Sequence, residues 1–269
     1  MHDIEKTRFD YFAGYIVVTD VEFEAVKKLY DWKIAFGTNC LENLPDTDQV
    51  FYEASFERNQ KVYKVCMARQ SRMGMVCASS LAMNMIFRFR PQYIIMGGIA
   101  AGIGAGQNYG DVMLADMFWD YSVGKYVAKG TGKISYGDID FIPRPSCIYV
   151  PDTLVNIFRK ALADDDNEFS VQIGPIACGT SVVANENIKN HQVINQYTAT
   201  LGLEMESYGI AYASLCSIKD GPLPVVAKSI CDFADACKND SYKKFAAYTS
   251  LNFLKFLCEK HLEDRETSE

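Results

Sequence analysis

The sequence predicts an α/β protein in which a central sheet is covered by helices on both faces, making a three-layer α/β/α sandwich. Two observations carry that expectation. Six short apolar runs read as strands, and five segments with helical periodicity fall between and after them. Strands that alternate with helices place helices on both sides of one sheet. The 269 residues suffice for a sizeable core. With no low-complexity linker and no internal repeat, one domain over residues 1–269 is the expectation.

In chain order, the β-branched run YIVVT (15–19) reads as the first strand, and VEFEAVKKLYDW (21–32) as the first helix. KVYKVCMA (61–68) is the next strand, followed by the helical MVCASSLAMNMIFRF (75–89). QYIIMGG (92–98) and GDVMLAD (110–116) are two strands separated by a glycine-rich stretch. Residues 118–149 carry weaker patterns and read as an excursion from the sheet. PDTLVNIFRKALADD (151–165) is helical, VQIGPIACG (171–179) a strand and SYGIAYASLCSIK (207–219) a helix. PLPVVAKSI (222–230) is the last strand and SYKKFAAYTSLNFLKFLCEKH (241–261) the last helix; the charged EDRETSE tail is expected to fray.

Composition removes several function classes. A formal net charge of −7 offers no basic surface for a polyanion, so no nucleic-acid partner is expected. No apolar run approaches the roughly 20 residues of a membrane span. The acidic, aromatic start MHDIEKTRFDYFAG does not read as a signal peptide, so no membrane association and a cytoplasmic location are expected. The nine cysteines are scattered, mostly within apolar segments and without metal-ligand spacing, and read as reduced, mostly buried thiols. Of three histidines only His191 is interior in sequence, and its neighbours NIKNHQVINQY read as polar surface. Any chemistry therefore falls to carboxylates, and no metal or other cofactor is expected.

In open α/β sheets ligands sit beyond the carboxyl ends of the strands, and three such ends stand out. IIMGGIAAGIGAGQNYGDVMLAD contains neither GxGxxG nor a Gly-Lys-Ser/Thr, and a strand rather than a helix follows it. Its glycines permit either close approach to a flat ligand or a bulged loop needed for packing. VVAKSICDFAD delivers Asp232 from a buried strand into an apolar mouth, a setting suited to a general acid or to a helix N-cap. Asp235 fits the capping role at least as well. LGLEMESYGIAYASL places Glu204 and Glu206 in an apolar run. They lie about 200° apart if helical and on one face if extended, so at least one is expected to point inward. A carboxylate there could accept two hydrogen bonds from a vicinal diol such as a ribose, or could simply favour a helix's first turn.

Taken together and in order, LEMESYGIA, SICDFAD and GGIAAGI…YGDVMLAD resemble the purine nucleoside phosphorylase superfamily, most closely 5′-methylthioadenosine/S-adenosylhomocysteine nucleosidases and related nucleosidase-like domains. The resemblance covers residues 15–257. It implies a phosphorylase/hydrolase-like fold with a mixed, partly barrel-like sheet, and a small-molecule purine nucleoside or nucleotide as partner. By the same resemblance Asp232 protonates N7 of the purine, Glu206 holds the ribose hydroxyls and Met205 packs against the sugar. Gly98 and Ile99 line base and ribose, while Val182 and Val183 contact the base. The stretch ACGTSVV departs from the family's S-G-D-x-F-I by losing its aromatic residue. Cys231 replaces the usual serine and removes a hydroxyl that helps to position Asp232. The carboxylate for the attacking water comes from the first helix, where Glu24 is slightly preferred to Glu22.

Ile95 and Gly98 occupy positions where hexameric phosphorylases carry a phosphate-binding arginine and serine, so hydrolysis is expected. Arg69, Arg72, Lys27 and Lys28 remain as other cations, and phosphorolysis as the alternative. Domains resembling ARQSRMGMVCASSLA…FRFRPQY also occur beside bacterial signalling or defence modules, where the scaffold senses or degrades a nucleotide. The family often forms dimers that complete each other's pockets, so a homodimer is expected.

Overall fold

The computed structural model describes residues 9–35, 48–128, 139–216, 219–237 and 239–265. Its strands are β1 (Tyr11–Val17), β2 (Lys33–Ala35), β3 (Phe51–Arg58), β4 (Lys61–Arg69), β5 (Pro91–Gly102) and β6 (Val112–Asp120). They continue with β7 (Gly124–Ala128), β8 (Ile139–Pro143), β9 (Ser146–Tyr149), β10 (Val171–Cys178), β11 (Gly202–Glu204) and β12 (Leu223–Asp232). The helices are α1 (Asp20–Val26), α2 (Met75–Phe89), α3 (Asp152–Leu162), α4 (Glu186–Lys189), α5 (Ser207–Ala211) and α6 (Lys243–Lys260).

The main sheet runs in the order β11-β10-β6-β12-β5-β1-β4-β3-β2, with β9 added to β6. It is mixed: β1 pairs in parallel with β4 and β5, whereas β12 is parallel to β5 and antiparallel to β6. Short β11 pairs with β10 on one side and with β5 on the other. The strands β5, β12, β6, β10 and β11 therefore close on themselves, giving the partly barrel-like character. Every residue of β1 is buried, as expected of a strand covered on both faces. Gly14 lies against Met85 of α2, and Gly97 against Leu251 and Leu254 of α6. The helices α2 and α5 pack together, as do α1 and α6.

Several expected boundaries move for identifiable reasons. The first helix ends at Val26 rather than at residue 32, because the Trp32 indole donates to the Val26 carbonyl at 2.9 Å. The glycine-rich stretch is mostly strand: β5 continues through Gly102, and the turn occupies 103–111. The excursion is shorter than 118–149, since β6 runs to Asp120 with Phe118 and Trp119 buried. β7 and β8 form a separate two-stranded sheet, and β9 returns antiparallel to β6. The helix expected over 207–219 is α5 followed by a π-helical turn at Tyr212–Cys216; residues 217 and 218 lie outside the described residues. No helix of the described residues is long and apolar enough to cross a membrane.

Candidate active site

The ends of β1, β5, β11 and β12 converge on a cavity of about 310 Å³. Its wall includes Glu22, Ile99, Met205, Glu206, Cys231 and Asp232, with Val182 and Val183 on a neighbouring loop. Three separated strand ends singled out in the sequence thus meet at one place.

Glu22 enters through a capping box. Thr19 caps α1, its Oγ1 accepting the Glu22 N–H at 3.4 Å while Glu22 Oε2 accepts the Thr19 N–H at 2.7 Å. Oε2 also accepts the Val18 N–H at 2.9 Å, and Oε1 reaches β5 to accept the Ile99 N–H at 2.9 Å. Glu22 is 1% exposed. The structure does not bring Glu24, the slightly preferred residue, to this cavity: its side chain is 63% exposed, pairs with Lys27 at 2.8 Å and is absent from the cavity wall. The capping box explains this, since fixing Glu22 at N3 turns a residue two positions later toward solvent.

Asp232 ends β12 and is buried. Its Oδ1 accepts the Ala234 N–H at 3.0 Å, and its Oδ2 lies 3.4 Å from Cys231 Sγ. That thiol also lies 3.5 Å from the Ala100 carbonyl, so its proton is within reach of either oxygen. With Cys231 in place of serine, a thiol, a weaker donor than the lost hydroxyl, stands beside Asp232. Asp235 does not cap a helix: it accepts the Cys237 N–H at 2.8 Å within a turn, and α6 begins only at Lys243.

Both Glu204 and Glu206 are buried and line the cavity. Glu204 ends β11 and accepts from Glu206 N, Ser207 N and Ser207 Oγ at 2.6–3.1 Å. Glu206 precedes α5, and its Oε1 accepts the Gly74 N–H at the start of α2 at 2.7 Å. Burial and then the neighbouring Glu204 push the Glu206 carboxyl up to about 7, while Lys228 and the Gly74 N–H pull the other way. Met205, between the two glutamates, also faces the cavity.

Lys228 escaped the sequence reading. It sits in mid-β12, 1% exposed, with Nζ 3.5 Å from Glu204 Oε2. Burial disfavours its charge, but Glu204, Glu22 and Glu206 overcome that and raise the ammonium above its ordinary value. The available signal was a lysine inside the apolar run VVAKSIC, since a lysine is almost never fully buried without a partner. Gly98 pairs with Lys228 across the strands. A Cβ there would lie 2.0 Å from Glu22 Oε1 and 3.2 Å from Lys228 Nζ, so Gly98 makes room beneath the cavity and does not form its wall.

Val183 is buried, whereas Val182 is 58% exposed at the mouth beside Met73, at 59%. Lys243 also reaches the wall and pairs with Asp240 at 2.6 Å. Arg69 instead donates to the Val18 carbonyl and pairs with Asp20 at 2.6 Å. Neither Arg69 nor Arg72 lines the cavity, and His191 is exposed. Among the described residues no group of three or more His, Cys, Asp or Glu side chains could hold a metal ion.

A mixed sheet closed into a short barrel, flanked by helices and carrying a carboxylate-lined cavity at its strand ends, defines a three-layer α/β protein of the phosphorylase/hydrolase-like class. The chain belongs to the phosphorylase superfamily, whose profile matches residues 14–247. It is 26% identical over 213 residues to the 5′-methylthioadenosine/S-adenosylhomocysteine nucleosidase of Shewanella loihica (strain ATCC BAA-1088 / PV-4), covering 78% of this chain and 86% of that one. It is 24% identical over 253 residues to the ATP nucleosidase Cap17 of Escherichia coli (strain KTE188), covering 84% of this chain and 47% of Cap17. The chain spans about half the length of Cap17 and of another curated relative. Among solved structures, the 5′-methylthioadenosine/S-adenosylhomocysteine nucleosidase of Neisseria meningitidis, in complex with methylthio-immucillin-A, superposes with a TM-score of 0.71. The match covers 92% of this chain and 98% of that one at 19% identity, a likeness of fold.

Proposed function

We propose that the protein is a purine nucleosidase that hydrolyses the N-glycosidic bond of an adenosine-type nucleoside, with methylthioadenosine and S-adenosylhomocysteine as the reference substrates. The observation that carries this reading is the convergence of Asp232, at the end of β12, Glu206, just beyond β11, and Glu22, in the helix after β1, on one cavity. Asp232 gives its proton to N7 of the base as the C1′–N9 bond breaks and its electron pair leaves with the base. A water oxygen then bonds to the cationic C1′, and its proton passes to Glu22. Glu206 accepts the sugar hydroxyls, Met205 packs on the ribose, and Ile99, Val182 and Val183 border the base. General-acid help of this kind is typically worth about 10²- to 10⁴-fold, or roughly 3 to 5 kcal/mol of barrier.

Water is favoured over phosphate because Lys243 is the one basic side chain among the described residues of the cavity wall, and it is already paired with Asp240. A dianion facing four wall carboxylates would be poorly compensated. The likeness to the ATP nucleosidase Cap17 favours a second reading in which the substrate is an adenine nucleotide cleaved in a defence or signalling setting. The exposed apolar rim at Met73 and Val182, continued by Val76 of α2, supports a homodimer whose partner covers the mouth. Sedimentation of Val76→Asp against wild type tests the dimer: an unchanged mass would refute that face. For the reaction, the purified protein is incubated with purine nucleosides and nucleotides, with and without phosphate, and the sugar product is identified by mass. Free base and free sugar without phosphate are expected. Sugar 1-phosphate formed only with phosphate would replace hydrolysis by phosphorolysis, and turnover restricted to nucleotides would select the second reading.

A further inference from the structure

Three glutamates line the cavity, one lysine, Lys228, is buried beside Glu204, and the surroundings of the glutamates are unequal. Glu22 accepts three backbone N–H groups. Glu204 accepts two backbone N–H groups and the Ser207 hydroxyl, and faces Lys228. Glu206 accepts one, from Gly74, and among the described residues nothing donates to its Oε2. One ammonium cannot offset three carboxylates, so the excess negative charge weighs most on the glutamate with fewest donors. The charged and titratable groups around Glu206 are Glu204 of β11, Lys228 of β12, Glu22 of α1 and the Cys178 thiol of β10. Lys228 is the one cation among them.

An ionised Glu206 accepts both hydroxyls of a vicinal diol, whereas a protonated one must donate at one oxygen and loses that symmetry. We propose that Lys228 is a positioning residue: its ammonium, set against Glu204 and Glu22, holds Glu206 in the carboxylate form that takes the sugar. Lys228 thereby sets the pH range in which the pocket captures a ribose. The inference rests on the reading of Glu206 as the diol acceptor. It further assigns Glu204 the opposite influence, because Glu204 opposes the charge that Lys228 favours.

The test is the pH dependence of KM for a ribonucleoside in wild type, Lys228→Arg, Lys228→Met and Glu204→Gln. In wild type KM should rise about tenfold per pH unit below the titration of Glu206. Lys228→Met should move that bend to higher pH by about one unit or more, Glu204→Gln should move it to lower pH, and Lys228→Arg should leave it in place. A merely structural role would raise KM by the same factor at every pH, or move the bend in the same direction for Lys228→Met and Glu204→Gln; either result overturns the proposal. The Glu206 carboxyl is followed in parallel by ¹³C NMR of glutamate-labelled protein, assigned with Glu206→Gln. That titration needs no turnover. A wild-type protein that releases base from no nucleoside refutes the nucleosidase reading, while the NMR shifts still decide whether Lys228 governs Glu206. If Lys228→Met does not fold, Lys228→Gln takes its place in the NMR titration: a Glu206 bend left at the wild-type pH in that variant overturns the inference.

Discussion

Glu22 and Ile99, 77 residues apart in sequence, are joined by a 2.9 Å hydrogen bond from the Ile99 backbone N–H to Glu22 Oε1. The bond ties the first turn of α1 to the end of β5, and it holds the carboxylate at the cavity while the same side chain closes the helix cap. One glutamate therefore serves the fold and the site together, which gives its replacement two separable consequences.

Glu22→Gln should lower kcat by about 10²-fold or more, in the range of general-base catalysis. It should also destabilise by about 0.5 to 2 kcal/mol, because the amide turns a donor toward at least one of the three N–H groups now served. Glu24→Gln should stay within about 0.5 kcal/mol of wild type with full activity, as an exposed pair on α1 contributes little. Equal kinetic losses in the two variants would contradict the assignment of the water-activating carboxylate to Glu22.

Asp232→Asn keeps an oxygen to accept the Ala234 N–H and so preserves the turn that follows β12. The melting temperature should change little, while kcat should fall by about 10²- to 10⁴-fold. Wild-type turnover in this variant would remove Asp232 from the reaction.

Gly98→Ala tests the floor of the cavity. The added methyl would lie 2.0 Å from Glu22 Oε1, so the carboxylate, or the β5 backbone beneath it, must shift. A loss of about 1 to 3 kcal/mol is expected from overpacking, together with a fall in kcat as Glu22 leaves its place. A crystal structure of the variant with Glu22 unmoved and full activity would show that the floor has slack.

Much of this arrangement was legible in the sequence. The bounds of α2 follow from its periodicity, and Asp232 and Glu206 stood out because carboxylates interrupt apolar runs at strand ends, while Met205 was pointed to by the family resemblance alone. What escaped depends on contacts distant in sequence. Glu22 and Glu24 differ only in which faces β5, and that is settled by a hydrogen bond to residue 99. Lys228 reads locally as a polar residue in a strand, and only the meeting of α1, β11 and β12 shows three carboxylates around it. β11 is three residues long, too short for any period, yet it closes the barrel. Residues Tyr212–Cys216 continue a helical pattern but relax into a π turn, which no spacing of apolar residues distinguishes from α.

The buried Glu206 also leaves a mark on stability. Its folded-state value, raised to about 7 from 4.5 by burial and by Glu204, means that between these limits the folded protein holds a proton that the unfolded chain has released. Folding is then favoured by acid: the slope of unfolding free energy with pH is negative in this window. Stability from this group is fully present below about pH 4.5 and is lost as pH rises through about 7, by about 3 kcal/mol in all. The loss levels off above that because both states are then ionised. Glu206→Gln removes the titrating group and should flatten this part of the curve, gaining stability over wild type at about pH 8 and little at about pH 5. Urea midpoints measured across the window for both proteins check it. A wild-type curve that instead rises from pH 5 to 8 by an amount Glu206→Gln abolishes would mean that the folded state favours the carboxylate, and that Lys228 outweighs burial and Glu204.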